Sequence, residues 1–234
     1  LAIVPAYNEE ESIAHVISGI RESASFADVV VINDGSTDRT SAVAREHGAS
    51  VLDLPHNLGI GGAVQAGYRL AERLGYDVVL RLDGDGQHDP QEIPRLMMPV
   101  LGDLTDVAYG SRFCEDGATY KAPLARRIGI QLFATLVSLI THQRTYDATS
   151  GMLCANRRGI HCFARYHPQD YPEVESHVLL HKAGLRRMEI PVKMHARMGG
   201  ESSIRLLGSI YYALKVSLAV LITGMQRLDS FRTD

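Results

Sequence analysis

Short, nearly unbroken apolar blocks alternate with helical patterns through the first half of the chain. Leu1-Ala-Ile-Val is stopped by Pro5, and the theme recurs in Asp28-Val-Val-Val-Ile-Asn33, Ser50-Val-Leu-Asp-Leu54 and Asp77-Val-Val-Leu-Arg-Leu-Asp83. Between the first two blocks Ile13, Val16, Ile17 and Ile20 fall at i, i+3, i+4 and i+7, the spacing of one apolar helix face. Further helices are predicted over 37–47 and 59–74, each followed by a glycine, Gly48 or Gly75, suited to a helix stop. Strands that do not alternate polar with apolar are buried on both faces. With single helices between them, they predict an α/β fold of three layers around a mainly parallel sheet.

The second half is less regular. Asp106-Val-Ala-Tyr-Gly110 predicts a strand leading into Ser111-Arg112, followed by a helix over 122–140 and a polar loop over 146–151. A helix over 175–183 and a strand over 188–192 come next. Ile204, Leu207, Tyr211, Leu214, Leu218, Leu221 and Met225 then recur three or four residues apart. A bilayer span needs about 20 predominantly apolar residues, and Lys215 interrupts this stretch. It reads as an amphipathic, interfacial helix or the start of a membrane region, with a core or homodimer helix as an equal alternative. The predicted organisation is one domain over 1–203 and this helical segment over 204–234.

Composition narrows the class. A chain of 234 residues, 45% hydrophobic and 22% charged, is long enough for a sizeable core and is neither disordered nor fibrous. Three scattered cysteines (Cys114, Cys154, Cys162) exclude a disulfide framework and fit a reduced, cytoplasmic protein. No basic stretch followed by an apolar one opens the chain, and Leu1 in place of Met reads as the start of a trimmed sequence. The formal net charge of −3 hides an asymmetry. Residues 1–110 carry 7 basic against 17 acidic residues, and residues 111–234 carry 17 against 10. An acidic half suits a metal site, and a basic half suits an anionic substrate or membrane surface.

In open parallel sheets ligands sit outside the carboxyl ends of the strands. Three polar clusters fall there: Pro5-Ala-Tyr-Asn-Glu9, Asn33-Asp-Gly-Ser-Thr-Asp38 and Asp83-Gly-Asp-Gly-Gln-His-Asp89. Three such clusters on one rim describe one site. Asp83, Asp85 and Gln87 are the sharpest signal, because two carboxylates two residues apart can turn oxygens toward one hard cation. An EF-hand is excluded, since His88 and Pro94 stand where its glycine and its last acid belong. Asp34 can accept hydrogen bonds from a base or ribose. The glycines around Gly61 lack the dinucleotide spacing and follow the third strand, which excludes a nicotinamide enzyme, yet they allow close approach to a nucleotide. His177 and His181 lack a third zinc ligand and read as packed or solvated. Basic residues without interleaved aromatics, in a chain without Trp, argue against nucleic acid.

Pro5-Ala-Tyr-Asn-Glu9, Asn33–Asp38, Asn57-Leu-Gly59, Asp83–Pro90 and Gly110-Ser-Arg112, in that order, resemble a GT-A glycosyltransferase of family 2. The branch they most resemble is the polyprenyl-phosphate (dolichyl-phosphate) mannose or glucose synthases, over residues 1 to about 205. The resemblance implies a nucleotide-sugar donor (a UDP-, GDP- or dTDP-sugar), a divalent metal (Mg2+ or Mn2+) and inverting transfer. It implies that Pro5, Tyr7, Glu9 and Asp34 contact the nucleoside and that Asp83, Asp85 and Gln87 hold metal and diphosphate. Arg197 and Ser202 would border the diphosphate, and Arg112, Arg126 and Arg127 would receive the acceptor phosphate. Glu175 stands where the family carries an acidic catalytic residue, with Glu173 as its substitute.

The leading expectation is therefore a metal-dependent transferase acting on polyprenyl phosphate, peripheral at the cytoplasmic face of a membrane. One alternative transfers to a hydroxyl of a glycan or small molecule with Glu175 as base. Another is a non-catalytic nucleotide-sugar binding module, against which the intact carboxylate pair argues. A sugar-nucleotide pyrophosphorylase lacks support, because its basic glycine-rich loop is missing.

Overall fold

The computed structural model describes residues 1–114, 124–195 and 209–225. Its centre is a seven-stranded sheet in the order β3-β2-β1-β4-β6-β5-β7. The strands are β1 (Ala2–Ala6), β2 (Val29–Asn33), β3 (Ser50–Asp53), β4 (Val78–Arg81), β5 (Val107–Ser111), β6 (Leu153–Asn156) and β7 (Arg187–Pro191). β1 and β2 bury all five of their residues, as their unalternating sequences require. Pairing is parallel except along β6, which runs antiparallel to both β4 and β5.

Helices cover both faces. On one, α1 (Ile13–Ser23) and α4 (Ile93–Leu101) press Ile13, Ile17, Ile20 and Leu96 onto Val4, Val31, Leu80 and Leu82. On the other, α3 (Gly59–Leu74) and α6 (Arg157–Tyr166) bury Val64, Tyr68, Ile160 and Phe163 against Ile3, Ile32 and Val79. α2 (Thr40–Glu46) links β2 to β3. A third cluster joins α5 (Leu124–Thr141), α7 (Pro172–Lys182) and α8 (Ser209–Met225) through Phe133, Val137, Val174, Val178, Val216 and Val220. The predicted boundary between 203 and 204 lies outside the described residues.

The sequence pattern did not predict β6, α4 or α6. β6 has four residues, none β-branched, and runs straight into α6, whose N-cap Asn156 accepts from the N–H groups of Arg158 and Gly159. The helix read from residue 175 begins at Pro172, a residue that suits the first turn.

The chain winds from β1 to β2 and β3 on one side and places β4 on the other, so the winding reverses between β1 and β4. These two strands pair at Ala2–Leu80 and Ile3–Arg81, and their extensions stay bonded, the Leu82 N–H to the Ile3 oxygen at 3.3 Å and the Gly84 N–H to the Pro5 oxygen at 3.2 Å. The rim at the carboxyl ends of the strands, at this reversal, is where ligands bind in open α/β sheets. Gly61 has a different task from the one its sequence context predicts. A Cβ there would fall 2.3 Å from the Gln169 carbonyl oxygen and 2.5 Å from that of Pro168, so it is the packing of α3 on this loop that demands glycine.

Candidate active site

Four loops at the carboxyl ends of the strands are stitched to one another by hydrogen bonds. Asn8 adopts the left-handed region at φ 55°, and its side-chain oxygen accepts from the Thr37 N–H at 2.9 Å. The Asn8 N–H donates to the Ser36 hydroxyl, and the Glu9 N–H to that of Thr40. Asp34, buried at the end of β2, accepts from the Leu58 N–H at 2.7 Å and so fixes the loop before α3. The buried Ser12 hydroxyl lies 2.7 Å from the Gly84 carbonyl oxygen and 2.9 Å from Glu9 Oε2, tying the first loop to the last.

The loops enclose a cleft of about 500 Å³ whose walls include Pro5, Tyr7, Glu9, Asp34, Asp83 and Asp85. All four residues expected to contact a nucleoside thus stand with the paired carboxylates. Gly59, Ile60 and Ala63 line the same cleft, and Gly61 does not. Gln87 contributes backbone: its N–H donates to Asp85 Oδ1, and its carbonyl oxygen accepts from the His195 N–H. Its side chain is not part of the wall. Among the described residues no three acidic, histidine or cysteine side chains form a complete cage. Two hard carboxylates beside a cleft fit an ion that retains waters and takes further oxygens from a diphosphate.

The site contains a cation that the sequence reading missed. Arg81, 1% exposed, directs Nε and Nη2 to Asp83 Oδ1 at 3.2 Å each, and Nη2 also reaches Glu173 Oε1 at 2.7 Å. Burial alone would lower the Arg81 pKa, but the two carboxylates outweigh it and raise it above the ordinary value. An arginine inside an apolar run was legible only as a charge at a position where parallel strands carry none. Beside it, His88 Nδ1 accepts from the Asp83 N–H at 3.0 Å, which puts the proton of a neutral ring on Nε2, 3.8 Å from Asp83 Oδ2.

Two of the expected site residues have partners within the fold. Glu175, expected as the catalytic acid or base, turns its carboxylate to the Tyr171 N–H at 3.2 Å and the Thr223 hydroxyl at 2.7 Å, where it fastens α8 to α7. Burial raises its pKa. Of the two acids in that turn, Glu173 is the one joined through Arg81 to Asp83. Arg112, expected to receive an acceptor phosphate, is buried and forks onto Asp147 with Nε–Oδ2 at 2.7 Å and Nη2–Oδ1 at 2.8 Å. Its Nη2 also donates to the Thr149 hydroxyl. Arg127 is exposed. The side chain of Arg126, with Arg197 and Ser202, lies outside the described residues. His177 is packed, as expected: it stacks on Tyr109 at 4.1 Å, and its Nδ1 accepts from Arg187 Nη1.

A doubly wound sheet with a nucleotide-sized cleft at its switch point and two carboxylates on the cleft wall defines a GT-A-like sugar-nucleotide transferase fold. The model of the family Glycosyl transferase family 2 matches residues 1–165, and the chain belongs to that family. It is 25% identical over 210 residues to the UDP-N-acetylglucosamine–dolichyl-phosphate N-acetylglucosaminyltransferase of Methanococcus voltae, covering 82% of this chain and 83% of that one. It is 31% identical over 157 residues to the polyprenol monophosphomannose synthase of Mycolicibacterium smegmatis, covering 64% and 59% of the two chains. Among solved structures, glucosyl-3-phosphoglycerate synthase of Mycobacterium tuberculosis with Mn2+, UDP and glucosyl-3-phosphoglycerate superposes with a TM-score of 0.71 at 20% identity, over 98% of this chain and 80% of that one. That likeness carries the fold.

The Arg112–Asp147 pair makes a direct prediction. Removing one partner of a buried pair costs about 3–5 kcal/mol, so Arg112→Ala should lower Tm by roughly 10 °C in a thermal melt. Burial would raise the Asp147 carboxyl, yet the Arg112 hydrogen bonds and charge hold it below the ordinary value. A depressed native pKa gives stability that is complete above the unfolded value, about 3.9, and lost as pH falls below it. Arg112→Ala should therefore flatten the stability loss of the wild type below about pH 4. An unchanged Tm would contradict the structural assignment.

Proposed function

We propose that this glycosyltransferase moves a sugar from a nucleotide-sugar donor to a polyprenyl phosphate at a membrane surface. The observation that carries the donor half is the switch-point cleft, which the predicted nucleoside contacts and the Asp83/Asp85 pair line together. Tyr7, half exposed at its mouth, offers a ring to a base, and Asp34 an acceptor to a base or ribose. Asp83 and Asp85 are the groups that would hold a divalent ion such as Mg2+ or Mn2+. Such an ion, when bound, neutralises charge on the leaving diphosphate as a Lewis acid. Arg197 and Ser202 would border that diphosphate.

The acceptor half rests on the activities for which the two relatives are named and on the chemistry of the nucleophile. A phosphate monoester has a second pKa near 6 and is ionised at pH 7. It attacks the anomeric carbon from the face opposite the diphosphate without giving up a proton, so a single displacement inverts configuration and needs no strong base. Glu175, held by Tyr171 and Thr223, and Glu173, paired with Arg81, accord with a reaction of that kind. Arg126 and Arg127 are the cations assigned to the acceptor phosphate, while Arg112 is engaged in its pair with Asp147.

A lipid acceptor requires a surface. α5 exposes Ile128, Leu132 and Leu139, and α8 exposes Leu218, Leu221, Ile222 and Met225, although both helices already bury a second apolar side in the third core cluster. Among the described residues no helix is long and apolar enough to cross a membrane. Apolar side chains on the outside of two packed helices suit insertion to the depth of the headgroups.

Two measurements test this reading. Asp85→Asn should abolish the Mn2+-dependent part of UDP or GDP binding in calorimetry while the fold, followed by circular dichroism, survives; equal affinity in the variant would remove Asp85 from the metal site. Flotation with anionic phosphatidylglycerol vesicles should carry the wild-type protein upward at low salt and less of it at physiological salt. Protein that stays entirely in the aqueous fraction under both conditions would contradict the surface assignment.

A further inference from the structure

Arg81 is costly where it stands, since a guanidinium that is 1% exposed has lost its water and needs carboxylates to replace it. One of its partners, Asp83, lines the cleft, and the other, Glu173, stands in the first turn of α7. We propose that Arg81 is a positioning residue for the Asp83 carboxylate and that Glu173, from the first turn of α7, is the counter-charge that holds Arg81 in place. The inference rests on the reading of Asp83 and Asp85 as the metal-holding pair.

Three features make the contact directional rather than merely ionic. Nε and Nη2 converge on one oxygen, Asp83 Oδ1, so the planar guanidinium fixes the carboxylate's rotation as well as its charge. The Nη2 bond to Glu173 at 2.7 Å pins that plane from a second element, far away in sequence. Gly151 closes the arrangement: a Cβ there would come within 2.5 Å of Asp83 Oδ2 and 2.9 Å of Arg81 Nη2, so only glycine leaves the two groups this geometry. Strand end, loop and helix thus meet on one carboxylate, and Oδ2 is the oxygen Arg81 does not engage. A partner standing behind a metal ligand typically changes metal affinity about ten- to hundredfold.

The test separates positioning from stability by calorimetric titration of UDP with and without Mn2+. In Arg81→Met/Glu173→Leu the buried cation and its α7 counter-charge give way together to apolar groups of similar volume, and the Asp83 carboxylate, whose side chain is 29% exposed, can turn to solvent, so stability is largely preserved. The variant should melt close to the wild type and bind UDP equally well without metal, yet lose about ten- to hundredfold of the gain in affinity that Mn2+ gives. Arg81→Lys keeps the charge without the fork and should fall between the two. A folded double variant with the full Mn2+ gain would overturn the inference and leave the metal reading intact. A wild type that shows no Mn2+ gain would overturn both. Should the double variant fail to fold, Glu173→Gln decides: a Mn2+ gain reduced severalfold supports the positioning role, and an unchanged gain overturns it.

Discussion

Parallel pairing of β1 with β2 and β4 is the constraint on which the site depends. Once these strands run the same way, their carboxyl ends lie on one rim and every following loop is delivered there. The reversal of winding between β1 and β4 then sets the loops after these two strands side by side, tied through Gly84 to Pro5 and Ser12. β1 ends in Ala6, β4 continues into Asp83, and the two chains stay bonded as far as Pro5 and Gly84. The cleft is a consequence of topology, and the loops supply its chemistry.

Charges inside the fold are arranged around that cleft and beneath it. Arg112 forks onto Asp147, and Arg81 is shared between Asp83 and Glu173. At the opposite end of the sheet the buried Asp106 collects Arg158, Arg186 and Asn156. Buried pairs of this kind add little net stability, but the loss of one partner is expensive, so they hold segments in register. Arg187 differs: its contacts are His177, Thr141, Thr145 and the Gln143 carbonyl, and burial lowers its pKa. Burial also drives the His177 pKa well below its ordinary value, so the ring remains a neutral acceptor for that guanidinium.

The sequence made the first half of the fold legible because strand and helix periods differ sharply there and each loop carries its own polar cluster. Pro5, Tyr7, Glu9, Asp34, Asp83 and Asp85 could be gathered at one rim from strand order alone. The second half resisted for physical reasons. β6 is too short to show a period and pairs antiparallel, and α6 begins within a residue of its end. Side-chain partners across long separations were out of reach: nothing in the sequence says that Arg112 meets Asp147, that Arg81 meets Glu173, or that Glu175 turns to α8. Two acids two residues apart on a helix point in different directions, and Glu173 and Glu175 accordingly meet different partners.

The central claim is that an ionised phosphate on a lipid is the nucleophile, and the chemical structure of the product tests it most directly. Purified protein incubated with an α-linked nucleotide sugar, Mn2+ and a short polyprenyl phosphate should yield a sugar joined to the lipid by a phosphodiester. In proton and phosphorus NMR that product should show β configuration at the anomeric carbon. A sugar attached through a hydroxyl oxygen, or a product that keeps the α configuration, would contradict the account.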